Sequence, residues 1–144
     1  MPNAYAEMKA RQQKEFDAFP LGAAFSDEQF VEMMNKWGLT EKDTDKIVTV
    51  FNGCFVRKID LAEFHRLLDK FDKEKEEAIK ADTTGEGFIK DMFYHELCNH
   101  EYSYTMDPGD TFDALGYTAE QILADARLSR GFCLAETEAR EVGW

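Results

Sequence analysis

The sequence is short of the groups that chemistry most often uses. It has three histidines, at 65, 95 and 100, and three cysteines, at 54, 98 and 133, with no Cys-x-x-Cys spacing. An odd number of thiols without that spacing argues against a disulfide framework and fits free thiols in a reducing compartment. No apolar run approaches the ~20 residues that a membrane span needs, and the opening "MPNAYAEMKARQQKEF" lacks the apolar core of a secretory signal. The expected location is therefore the cytoplasm. No Gly-x-Ser-x-Gly elbow and no P-loop spacing occurs.

Positive charge is the most informative deficit. From Asp91 to Ala126 there is no lysine or arginine, while eight acids occur: Asp91, Glu96, Glu101, Asp107, Asp110, Asp113, Glu120 and Asp125. Phosphate contacts need cations, so this stretch argues against direct nucleic-acid binding through the C-terminal half. The imbalance is local. Residues 1–72 hold 10 basic and 13 acidic residues, residues 73–144 hold 7 and 16, and the whole chain carries a net charge of −12. An acidic surface attracts basic proteins and can imitate a phosphate backbone.

Core material is plentiful. Twelve phenylalanines in 144 residues, with 44% hydrophobic content, exclude a disordered chain and suit one domain spanning residues 1–144. Three stretches carry the same helix-start signature. "FSDEQF" offers Ser26 as cap and Gln29 three residues on, with Phe25 and Phe30 placed to form a staple. "IDLAEF" repeats this with Asp60, Glu63, Ile59 and Phe64, and "YTAEQI" with Thr118, Gln121, Tyr117 and Ile122. Helices are expected over about 3–19, 27–37, 61–80, 89–102, 110–115, 119–126 and 128–141. "KIVTVFNGCFVRK" is β-branched and aromatic around Asn52-Gly53, which predicts a hairpin over about 46–58. The expected fold is mainly α: a single-domain bundle of about five to seven helices with one small β-hairpin.

Three motifs resemble chemistry and fall short of it. In "YHELCNHEY" the second histidine is one residue too late for a zincin, because an i,i+5 step turns His100 roughly 140° from His95. "CNHE" and "GDTFD" resemble dinuclear phosphatase elements, but their order is reversed, Asp-x-His is missing and three histidines supply too few ligands. "ADTTGEGFIKDMF" aligns Asp82, Thr84 and Glu86 with EF-hand positions, yet Phe93 stands where a bidentate Glu is required. The alternative there is a loop before a helix, with a weak anion nest at the helix start. No metal or cofactor is expected. A lone His65 on a helix flank reads as structural.

Helical projection is more informative. Glu96 and His100 fall one turn apart within the apolar stripe of Met92, Ile89, Phe93 and Leu97, with Asn99 and Tyr102 near His95 on an adjacent face. A carboxylate and an imidazole on a core-facing stripe should pair. Glu96, His100, Asn99 and Tyr102 form the candidate polar cluster.

The stretches "ADTTGEGFIKDMFYHELCNHEYSYT", "DALGYTAE" and "NAYAEMKARQQKEF" resemble a family of short accessory proteins associated with mobile elements of anaerobic Gram-positive bacteria. The resemblance covers nearly the whole chain and is strongest over 81–105 and 113–120. The hairpin "VTVFNGCFVRK" departs from the glycine-rich form of that family. The resemblance implies no catalytic residues; what it implies is a small cytoplasmic protein on elements that must survive host defences.

Charge and context together lead to a non-enzymatic binding protein. It would present Asp107, Asp110, Asp113, Glu120 and Asp125 to a basic, nucleic-acid-handling partner such as a nuclease, in its sharpest form as a DNA-mimicking anti-CRISPR or anti-restriction inhibitor. One alternative is a small enzyme or ligand sensor built on Glu96 and His100. Another is a structural homo-oligomeric accessory protein.

Overall fold

A computed structural model describes residues 2–142. In chain order the elements are α1 (Ala4–Ala18), β1 (Gly22–Ala23), α2 (Asp27–Lys36), β2 (Ile47–Phe51), β3 (Cys54–Arg57), α3 (Leu61–Ala81), α4 (Phe88–Asn99), α5 (Tyr102–Thr105), α6 (Gly109–Leu115), α7 (Ala119–Ala124) and α8 (Ala126–Ala139). The fold is mainly α, as expected, with eight α-helices among the described residues. The described residues fall into two compact units: one from residues up to Arg11 and from Lys73 onward, the other from Gln12–Asp72.

Local chemistry explains most of the helix starts. Thr118 and Gln121 close a complete capping box, Thr118 Oγ1 accepting from the Gln121 amide at 3.1 Å and Gln121 Oε1 from the Thr118 amide at 2.9 Å. Ser26 accepts from the Gln29 amide at 3.2 Å, but Gln29 reaches back to the Phe25 amide (2.8 Å), one residue before the cap. The third predicted box does not form. Asp60 ends a 3-10 turn over Lys58–Asp60, and its carboxylate takes the Arg57 guanidinium at 2.8 Å. Glu63 pairs instead with Arg66. Nor are the staples at Phe25 and Ile59 made: these side chains are 75% and 79% exposed. A nearby guanidinium outcompetes two amides for Asp60, because a charge-assisted bond is stronger than a neutral cap contact.

In the unit of residues 12–72 the predicted hairpin forms around Asn52-Gly53, with Phe51 opposite Cys54, Val48 opposite Val56 and an irregularity between Thr49 and Phe51. The sheet has a third strand that the sequence did not disclose. Gly22 and Ala23 pair antiparallel with Phe55 and Cys54, giving the order β1-β3-β2. A hairpin alone is marginal in water, and two clusters support this one. Phe64 stacks within 6.3 Å of Phe16, Phe19 and Phe51, while Met33, Met34 and Ile47 are buried with Phe30, Trp37 and Phe55 around them. His65 is exposed on α3, its ring 6.4 Å from Phe64, beside a shallow groove of about 320 Å³ that Phe51 and Leu68 also line.

The other unit is organised on α4. Ile89, Met92, Phe93 and Leu97 have no exposed surface, and Tyr5, Met8, Leu115, Ile122 and Leu128 close around them. α8 lies directly against α4 because its facing positions are small: Gly131, Ala135 and Ala139 recur every four residues and all are buried. A Cβ on Gly131 would stand 2.5 Å from Ile89 Cγ2 and 2.7 Å from the Gly85 carbonyl. Phe132 then meets Phe93 and Phe112 edge-on, at 5.5 and 5.1 Å.

Candidate functional site

Glu96 is the one carboxylate inside the α4 stripe, 7% exposed. Its Oε1 accepts from the Tyr5 hydroxyl at 2.8 Å, 91 positions away in the chain. Its Oε2 lies 3.4 Å from His100 Nε2, one turn on. Its backbone carbonyl accepts from the hydroxyl of fully buried Thr111 at 3.2 Å. One residue thereby ties α1 and α6 to α4. Burial, reinforced by the bond to Glu96 and by its charge, pushes the Tyr5 phenol above its ordinary pKa, so Tyr5 remains a donor throughout the neutral range. Tyr5 thus holds one carboxylate oxygen and ties α1 to α4, while His100 Nε2, close to the other oxygen, is buried and makes no hydrogen bond.

The four residues of the predicted cluster do not come together. Asn99 is exposed, and the helix ends there. Glu101 adopts a left-handed conformation (φ 56°), which redirects the chain before α5. Tyr102 is consequently carried to α8, where its hydroxyl donates to Glu136 at 3.3 Å; Glu136 also takes Arg140 Nε at 3.1 Å. His95 lies with its ring 5.4 Å from that of Tyr5.

The loop before α4 is an anion site already filled by the chain. The Asp82 carboxylate accepts from the amides of Gly85 (2.9 Å), Ile89 (3.0 Å), Gly87 (3.1 Å) and Thr84 (3.3 Å). Burial opposes ionisation of Asp82, but these backbone donors outweigh it and hold its carboxyl below the ordinary value. The amides of Gly87 and Ile89 belong to the start of α4, so a carboxylate five to seven residues upstream caps that helix. Phe93, at the twelfth position of the EF-like pattern, is fully buried in the core. Arg127 secures the same loop, donating to the carbonyls of Ile79 and Asp82, both at 3.0 Å. Gly85 has φ +89°, and a Cβ on it would stand 2.2 Å from the Arg127 carbonyl. Among the described residues no group of three or more His, Cys, Asp or Glu is placed to hold a metal ion.

The acids of the cation-free stretch divide by role. Asp91 Oδ2 accepts from the Ala4 amide at 2.9 Å, at the start of α1. Asp125 caps α8, taking the amides of Arg127 (2.9 Å) and Leu128 (3.3 Å), and pairs with the Arg127 guanidinium at 3.5 Å. Asp107 is exposed and accepts from the Gly109 amide at 2.9 Å, just ahead of α6. Glu101, Asp110, Asp113 and Glu120 are exposed, and among the described residues their carboxylates form no hydrogen bond or ion pair. Several cations of this unit are engaged elsewhere, Lys90 on Glu138 (2.6 Å), Arg130 on Glu86 (2.6 Å), Arg140 on Glu136 and Arg127 on the loop, while Lys75 donates to the Leu115 carbonyl at the end of α6 (3.4 Å). The predicted partner set therefore splits, with Asp125 bound into the fold and Asp110, Asp113 and Glu120 left open.

A family model described as a family of unknown function, DUF7659, matches residues 4–138. The chain belongs to this family. No curated protein and no solved structure matches the chain. The match takes in both units and nearly all of the elements described above, from the first residue of α1 to the last turn of α8. No helix among the described residues is long and apolar enough to cross a membrane.

Tyr5 is the residue that sequence reasoning missed. Nothing local marks it: its partner lies 91 residues away, and in "NAYAEMKARQQKEF" it is one apolar residue in a mostly polar helix. The loop of Asp82 precedes a helix, as expected once Phe93 ruled out a calcium loop, but its capping role carried no local signal. The amide-binding ability that makes Asp suitable for opening a calcium loop is used here on the chain's own helix start.

Proposed function

We propose that this family member is a non-enzymatic binding protein that engages a basic, nucleic-acid-handling protein through the acidic surface of α6, α7 and the turn before them. The observation that carries this reading is the pairing pattern. Over 36 consecutive positions, 91–126, there is no cation, and the exposed carboxylates of Asp110, Asp113 and Glu120 have no partner within the described residues. Unpaired, hydrated carboxylates in such a field contribute nothing to stability through ion pairing, while they steer a cationic partner and raise its association rate. Asp107 joins them; Asp125 contributes field only, since its oxygens are committed to α8.

The sharpest form of the reading is a DNA mimic that inhibits a nuclease of a host defence system, in the cytoplasm, from a gene carried on a mobile element. The context comes from the family resemblance; the charge pattern supplies the physics. An enzymatic or sensing role for Glu96 and His100 is disfavoured by burial of the carboxylate and by the bond that the Tyr5 hydroxyl makes to it. The test is inhibition: the purified protein should slow cleavage of DNA by a susceptible nuclease at low ionic strength and lose that effect as salt rises. Failure to inhibit any tested nuclease, together with failure to retain basic proteins at low salt, would sink the proposal.

A further inference from the structure

α5 is a single turn held between two left-handed residues, Glu101 (φ 56°) and Met106 (φ 57°), and neither is a glycine. Such residues hold an unfavourable conformation only where the surrounding structure imposes it. Here the anchor is Tyr102, 6% exposed and bonded to Glu136. Tyr104, two positions on, is 80% exposed, and Met106 follows at 53%. The turn thus displays an exposed aromatic ring and thioether between the unpaired Glu101 and, in sequence, the acids Asp107 and Asp110.

We infer that this turn is the contact point for an arginine side chain of the basic partner, with the Tyr104 ring as stacking platform and the flanking carboxylates as hydrogen-bond acceptors. The inference rests on the acidic-partner reading above and deepens it by naming the partner's chemistry. Charge complementarity selects a cation, since this stretch of the chain offers only acids. The exposed ring selects arginine over lysine. A guanidinium is planar, weakly hydrated, stacks on an aromatic face and forks onto carboxylates, whereas an ammonium is a compact hydrated charge. Tyrosine and methionine are also residue types enriched where proteins bind one another.

The probes are fluorescent nona-arginine and nona-lysine peptides, titrated by anisotropy into the full chain and into Tyr104→Ala. Tyr104 is too exposed to hold the fold, and a circular dichroism spectrum confirms that the variant is folded. The expected result is a weakening for nona-arginine of about three- to fivefold, the range of an exposed cation–π contact, with nona-lysine changed by less than about twofold. Equal effects on the two peptides, or none on either, overturn the arginine platform while leaving the acidic surface standing. If neither peptide binds the unaltered chain at low salt, the acidic-partner reading itself falls, and the platform with it.

Discussion

Replacing Asp82 by Ala tests how the central helix of the first unit is started. The carboxylate takes four backbone amides; those of Gly85 and Ile89 are partly buried, those of Thr84 and Gly87 exposed. Water replaces the carboxylate readily at the exposed pair, so their loss contributes little. Each partly buried amide left without an acceptor costs about 1–3 kcal/mol, and losing a helix cap by itself costs about 1 kcal/mol. The Ile89 bond is the cap itself, so about 1 kcal/mol for it and about 1–3 kcal/mol for the Gly85 amide make a loss of roughly 2–4 kcal/mol, a large fraction of a typical stability of ~5–15 kcal/mol. Asp82→Asn keeps one acceptor oxygen and should lose about half as much. Urea unfolding followed by far-ultraviolet circular dichroism at neutral pH measures both. The pH dependence has a fixed sign. The folded carboxyl titrates below its ordinary 3.8, so its stabilisation is complete above that value and disappears as pH falls through the folded value. The stability gap between the native chain and Asp82→Asn should therefore be constant near neutrality and shrink below about pH 4. An Asp82→Ala chain within about 0.5 kcal/mol of the native one, the range of an inert surface change, would refute the reasoning.

Two further substitutions probe the same unit. Gly131→Ala adds a methyl group where Ile89 Cγ2 and the Gly85 carbonyl already stand, so α8 must shift from α4, at about 1–3 kcal/mol; an unchanged urea midpoint would contradict that packing. Tyr5→Phe removes only the hydroxyl that serves Glu96 Oε1 and should destabilise by about 1–3 kcal/mol. In the Glu96→Leu background, where no carboxylate needs a donor, the same change should cost much less, and a double-mutant cycle with no coupling would argue against the tie.

What could be read from the sequence was what is decided locally. Ser26 and Thr118 were legible as caps because their donors lie within three residues, and Glu96 with His100 because one helical turn separates them. Projection failed where the helix was assumed to continue: the left-handed Glu101 ended it, and Tyr102 went to Glu136 instead of joining His95. Asp60 carried a correct cap pattern but met Arg57 at closer advantage. The two-residue β1 has too few positions to show any periodicity. Tyr5 and Asp82 took their roles from contacts that only tertiary folding creates or from donors beyond a cap's usual reach. Composition gave the excess of acids, but only the pattern of partners separates Asp125, built into α8, from Asp110, Asp113 and Glu120, which have none among the described residues.

The most direct test of the acidic-partner proposal is affinity capture from nuclease-treated lysate of the native host, comparing the tagged chain with an Asp107→Asn, Asp110→Asn, Asp113→Asn, Glu120→Gln variant. Captures at about 50 mM and about 500 mM salt span weak and strong screening, with the retained proteins identified by mass spectrometry. The account predicts a basic nucleic-acid-handling protein held by the native chain at low salt, released at high salt and not held by the variant at either. Retention of the same proteins by native chain and variant alike, or the absence of any basic protein at low salt, would contradict it.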